Sequence, residues 1–210
     1  MKLVLAIAAA VIATVACNGK DAAVASASTS VGADAALHAP GYVVDSALPP
    51  EETLRRFRLG LDPMTRFDDG ATRSRNALVQ RFARAVAKGD TAALRGMSLS
   101  RGEFAYLYYP STQYLHPPYE MAPDVLWRLM HARSESGRKR LVARVGGTEI
   151  RVAGYDCEPT PEVEGSNRLY KQCTIRFRRA GADSVERRRL FGSIIERDGR
   201  YKFVSYANDF

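Results

Sequence analysis

The sequence predicts an α+β domain in which N-terminal helices pack on an antiparallel β-sheet, after a signal peptide and a flexible leash. Three observations carry this. Between Thr72 and Val145 the apolar residues recur at three- and four-residue spacing, and from Thr148 onward the period falls to two. Asp198-Gly199, set between two alternating runs, is a two-residue hairpin signal. Helices followed by a run of antiparallel strands is the order of an α+β chain.

The segment 1–16 reads as an export signal. Lys2 supplies the positive end, Leu3 to Ala13 is almost wholly apolar, and small residues lead to Ala16. The run is shorter than the roughly 20 residues a membrane-spanning helix needs. Thr14-Val15-Ala16-Cys17 resembles the lipobox of bacterial lipoproteins. That resemblance implies a diacylglyceryl group (palmitate-type chains) on the Cys17 thiol and cleavage just before it. Thr14 stands where that family usually has Leu; the competing reading is an ordinary signal peptide with a chance cysteine. By similarity to enterobacterial sorting rules, Asn18 in place of Asp points to the outer membrane. The expected setting is the bacterial cell envelope, with the membrane as partner through the lipid. Segment 17–48 is rich in Ala, Ser, Gly, Thr and Asp and reads as a linker that cannot offset its own ordering entropy.

Segment 49–71 reads as a short helical extension. Pro49-Pro50-Glu51-Glu52 opens it, Leu54, Phe57 and Leu59 follow, and Gly60 and Pro63 stop it. The main domain spans 72–210. Its first helix is expected over 72–88, with Leu78, Phe82 and Val86 as the apolar stripe and Gly89 as the stop. Asp90 caps a brief helix through Leu94. Ser100 and Glu103 have the capping-box spacing ahead of a helix over 104–109. A Pro- and Tyr-rich loop over 110–122 precedes a helix from Pro123, with a polar break expected at 134–137 and more helix over 138–145. Strands are then expected over 148–157, 169–179, 184–197 and 200–207.

Leu78-x3-Phe82-x6-Gly89-Asp90-x3-Leu94, together with the terminal run Ile194 to Phe203, resembles the nuclear transport factor two-like (SnoaL-like) superfamily. The resemblance covers about 72–210 and implies the cone-shaped fold, in which helices lean across a strongly curved sheet. Members range from enzymes to binding modules. No residue of the superfamily's isomerase site has a counterpart in this chain, so none is carried over.

The chain has 210 residues and a formal charge of +8 at pH 7. The basic excess gathers at Arg55-Arg56-x-Arg58, Arg138-Lys139-Arg140, Arg176-x-Arg178-Arg179 and Arg187-Arg188-Arg189. An exported chain meets little nucleic acid, so no nucleic-acid partner is expected. The partners this charge suits are anionic envelope lipids or polymers; the alternative is a set of solvated element faces. With Cys17 assigned to lipid, Cys157 and Cys173 remain as a pair in an oxidising compartment and read as a disulfide. Free buried thiols or a metal site are the alternatives. His38, His116 and His131 make no ligand spacing with the cysteines, so neither metal nor cofactor is assigned.

No catalytic signature is present. The one suggestive constellation is aromatic: Tyr106, Tyr109, Tyr114, His116, Trp127 and His131 could line a pocket, against the plainer reading that the tyrosines and Trp127 are core. Asp124, Arg128 and His131 share one side of their helix, as an ion pair with a bystander or as an acid–base pair. Two functions follow from different classes. The first is a tethered binding or scaffolding module of the envelope. The second is a small-molecule enzyme of isomerase, dehydratase or hydrolase type, with a Tyr/His-lined pocket.

Overall fold

The structure, a computed structural model, describes residues 48–210. The signal segment, Cys17 and the linker lie outside the described residues. What is described belongs to one compact unit, Ala47–Phe210.

The fold is α+β, as its periodicities predict, with two antiparallel sheets. Helix α1 spans Pro50–Phe57, with Glu51 and Glu52 in its first turn and Leu54 and Phe57 buried. Helix α2 (Arg75–Lys88) starts later than the apolar pattern suggests. Thr72 is instead bridged to Tyr201 by reciprocal backbone bonds of 3.0 and 2.9 Å, which ties the chain to a sheet edge before the helix begins. Ser74 caps α2 by accepting from Ala77 N, and Gly89 at φ +63° closes it. Helix α3 is Thr91–Gly96, capped by Asp90.

Ser100 and Glu103 form the expected capping box on the single-turn α4 (Arg101–Glu103). The chain then widens into a π-helix over Phe104–Tyr108 in place of the expected α-helix, burying Phe104, Ala105, Leu107 and Tyr108. Two 3₁₀ turns (Tyr109–Ser111 and Gln113–Leu115) follow.

Helix α5 runs unbroken from Pro123 to Val145, so the break expected at 134–137 does not occur. Those small polar residues serve a close approach instead. Ser134 Oγ accepts from Tyr206 N at 3.1 Å, and Gly137 O accepts from Asn208 Nδ2 at 2.8 Å. A Cβ on Gly137 would fall 1.8 Å from Tyr206 O, so only glycine lets the C-terminal segment lie against the helix.

The seven strands are β1 (Ile150–Asp156), β2 (Glu162–Glu164), β3 (Asn167–Tyr170), β4 (Thr174–Arg179), β5 (Glu186–Arg188), β6 (Ile194–Arg197) and β7 (Arg200–Phe203). They form sheets of order β1-β4-β5 and β2-β3-β6-β7. Each of the long strands expected over 169–179 and 184–197 is interrupted, giving β3/β4 and β5/β6. Tyr170 pairs with Ile194 and Ile175 with Arg188, so the second chain carries one residue more than the first between these rungs. Gln172 at φ +50° breaks the first chain, and beside it Cys173 is disulfide-bonded to Cys157 at the end of β1. Asp198 and Gly199, both at positive φ, make the predicted hairpin between β6 and β7.

Two hydrophobic clusters cover the two faces of the four-stranded sheet. Ile194 and its partner Phe203 join α2 in the first, whose centre is the buried group Phe82, Phe191, Phe203 and Tyr206. Phe82 meets Phe191 and Phe203 edge-on at 5.2 and 5.7 Å. Leu169 and its partner Ile195 face the second cluster, with Leu54, Phe57 and Phe104.

Lys202 pairs with Ile195 and therefore points to that second face, wholly buried. Its Nζ lies 2.8 Å from Glu103 Oε2, 2.6 Å from Asp68 Oδ1 and 3.3 Å from Ser98 O. Glu103 is itself fully buried and also accepts from Asp68 N and Ser100 N. Lys202→Met would leave that carboxylate buried without its cation. Urea melts should show a loss of roughly 3–5 kcal/mol; a loss below about 1 kcal/mol, the size of a surface pair, would show that Glu103 does not depend on Lys202.

Candidate functional site

The buried pair lies directly beneath a groove of about 470 Å³. On α5, Trp127, His131 and Glu135 recur every four residues and so share one face; Met130 and Ser134 flank them. The opposite wall is Ala92, Arg95 and Gly96 of α3 and the segment Ser98–Arg101. Leu99, Val204 and Asp68 complete the lining. Folding brings these walls together through the capping box and the Lys202 contacts, since Asp68, Ser98 and Ser100 each bond to Lys202 or Glu103.

The floor is apolar and aromatic. Trp127 packs on Phe104 at 5.2 Å between centroids, and the His131 ring lies 5.2 Å from Trp127 on the other side. The rim is charged, and its carboxylates are already paired. Asp68 faces Lys202. Glu135 accepts two bonds from the buried Arg138 and lies 3.8 Å from Arg95. The Arg138 hydrogen bonds hold the Glu135 carboxyl below its ordinary range, with smaller contributions from Arg95 and His131. Arg101 sits over the Phe57 ring at 4.7 Å, with no carboxylate partner among the described ion pairs.

The hydroxyls are tied to the backbone. Ser98 Oγ donates to Arg95 O at 2.9 Å, Ser100 Oγ accepts from Glu103 N, and Ser134 Oγ accepts from Tyr206 N. His131 meets an indole, not a hydroxyl or a carboxylate, so no nucleophile–base pair is assembled here. Among the described residues no three His, Cys, Asp or Glu side chains gather as metal ligands.

Of the six aromatic candidates, Trp127 and His131 come together in this groove. The other four lie elsewhere. Tyr109 is buried with its hydroxyl donating to Met121 O at 2.8 Å, and Tyr106 donates to Leu61 O at 3.3 Å beneath the Arg58 guanidinium. Tyr114 packs on Tyr119 at 5.6 Å, and His116 is exposed. Asp124 and Arg128 form an exposed pair at 3.2 Å. Sequence reading missed Glu135, Arg95, Arg101, Leu99 and Val204. The four-residue spacing Trp127–His131–Glu135 was the available signal for Glu135; the opposite wall has none. The basic runs likewise divide. Arg138 is buried beneath Glu135 while Lys139 and Arg140 are exposed, so that run is not a single solvated patch.

No helix among the described residues is long and apolar enough to cross a membrane. No protein-family model, curated protein or solved structure matches the chain.

Because Glu135 has a lowered pKa in the fold, its contribution to stability is full above the ordinary carboxylate value and fades as pH falls through the lowered one. Glu135→Gln should therefore destabilise the protein at neutral pH, by roughly 1–3 kcal/mol for an orphaned buried guanidinium. The difference from wild type should shrink on acidification. Urea melts at neutral and acidic pH check this; a gap that widens in acid would refute the assigned pairing.

Proposed function

We propose that this chain is a lipid-anchored binding module of the bacterial envelope, and that its groove takes a small molecule with an apolar body and an anionic group. The observation that carries the ligand class is the groove's division of labour. Its floor of Trp127, Met130, Leu99 and Val204 is apolar, while Asp68 shares Lys202 with Glu103 and Glu135 is paired with Arg138. The cation left without a carboxylate at the rim is Arg101. The volume lies in the range of small-ligand sites. Binding is favoured over catalysis because the serines are engaged by backbone and His131 by Trp127. The centre of the first hydrophobic cluster is filled by Phe82, Phe191, Phe203 and Tyr206, each wholly buried. The anchoring part of the reading rests on the sequence from Met1 to Cys17.

Trp127 is the single tryptophan, so fluorescence excited at the red edge, where tyrosine does not absorb, reports on the groove. Decanoate, titrated below its micelle concentration, should shift the emission saturably. Decanol should bind more weakly, and Arg101→Ala should bring decanoate down to the level of decanol. Emission that is unmoved, or moved equally by decanoate and a decyl ammonium salt, would overturn the ligand class.

The anchor is tested separately. Cells expressing the protein and fed labelled palmitate should incorporate label into the wild type and not into Cys17→Ser, which should also accumulate uncleaved or leave the membrane fraction. Equal labelling of both would sink the lipoprotein reading.

A further inference from the structure

The outer face of the three-stranded sheet carries a second charged feature, remote in chemistry from the groove. Register places Arg151 directly opposite Arg178 and Arg176 directly opposite Arg187. Residues paired across antiparallel strands share a face, so all four guanidinium groups stand on one side of the sheet. All four residues are exposed, while Ile175 and Phe177, the alternate residues of β4, are wholly buried on the other side. The result is a staggered row across three strands about 4.8 Å apart, with one arginine on β1, two on β4 and one on β5. Like charges set directly opposite are destabilising, so this arrangement works against the fold that displays it.

Nearby carboxylates offset only half of it. Asp156 lies 3.4 Å from Arg176 and Glu149 3.1 Å from Arg151. Arg187 donates to Thr174 Oγ1 at 3.2 Å, and neither Arg187 nor Arg178 has a carboxylate partner among the described ion pairs. Gly154 lets one guanidinium lie flat. It faces Arg176 across the strands, and a Cβ there would come 2.8 Å from Arg176 Nη2.

We propose that this arginine face docks on an anionic phospholipid bilayer. The four groups are spread in a plane and do not converge on a point, which suits an array of headgroup phosphates and not one free phosphate. Arginine at all four positions gives forked donors matched to phosphate oxygens. The anchored reading supplies the physiological setting, but neither the face nor its test depends on Cys17 or on the groove.

The test uses the unit Ala47–Phe210, which contains both hydrophobic clusters, the disulfide and both sheets. Co-sedimentation is measured with phosphatidylcholine vesicles, with and without phosphatidylglycerol. Binding should require phosphatidylglycerol and weaken with added salt. Arg178→Gln with Arg187→Gln orphans no carboxylate and should lower partitioning on the order of 20-fold, at about one headgroup interaction lost per arginine. Lys139→Gln with Arg140→Gln removes the same charge from α5 and should leave partitioning nearly unchanged. Thermal melts confirm that both double variants are folded. Equal losses in the two would reduce the effect to net charge and overturn the proposal. So would binding indifferent to phosphatidylglycerol, or arginine-dependent binding of soluble polyphosphate without binding of vesicles.

Discussion

The contact on which the rest of the structure turns is the buried ion pair between Lys202 and Glu103. A lysine buried on the face of a sheet is costly unless its charge is matched, and three elements are organised around matching it. Glu103 closes the capping box of α4 and accepts from Asp68 N, so the loop before α2 and the start of the π-helical segment are fastened to the same carboxylate. Arg200, two residues before Lys202, donates to Phe67 O at 2.6 Å and holds that loop from the other end. The groove's lower wall is therefore a by-product of charge neutralisation. Asp68, Ser98 and Ser100 lie where they do because each satisfies or adjoins the pair. The groove is preorganised without help from a ligand.

The second organising constraint is the interruption of the strand meander. The strands divide into two sheets where β3 gives way to β4 and β5 to β6. Gln172 takes the positive φ, and the Cys157–Cys173 bridge holds the end of β1 to that point, with Cα atoms 4.0 Å apart. A link of this loop length contributes about 3 kcal/mol in the chain-entropy view. The same interruption separates two environments. Beyond it, β6 is buried on both faces. Before it, β4 alternates buried and exposed residues and leaves its arginines to solvent.

That division explains what the sequence could and could not disclose. Local pattern made the helix α2, the capping box and the hairpin at Asp198-Gly199 legible, because each depends on neighbours close in the chain, while the disulfide pair was legible from the cysteine count. The run Arg200 to Phe203 reads as an alternating strand, and nothing in that alternation discloses that Lys202 is buried, because alternation by itself says nothing of a second covered face. Here that face is covered by a π-helical segment whose position is set by the lysine itself. The polar stretch at 134–137 reads as a break for a related reason. Small residues that loosen a helix in isolation are also those that allow a backbone to lie against it, and only the fold shows Tyr206 arriving there. In the candidate site, the α5 stripe was half visible through Trp127 and His131. Its facing wall comes from residues about thirty positions earlier that carry no chemical signature of their own.

The polar accounting of the groove bears on its chemistry more than any one residue in it. A catalytic site holds groups whose hydrogen-bonding or ionisation is incomplete until substrate arrives, and that incompleteness costs stability. In this groove, the serine hydroxyls cap or brace backbone, Asp68 and Glu135 have cations, and the imidazole lies on an indole. What remains unsatisfied is apolar surface and positive charge at the rim. The same imbalance recurs on the arginine face, where Arg178 and Arg187 lack carboxylates that the fold supplies freely elsewhere, as Glu186 does for Arg179 and Arg188. Glu186 is held below the usual carboxylate range, first by its bond to Arg179, so the chain pairs its arginines closely where structure requires it. Lack of a carboxylate is common among the described cations, Arg66, Arg84 and Arg144 among them, so what sets the arginine face apart is the register that stacks its guanidinium groups on one side of the sheet.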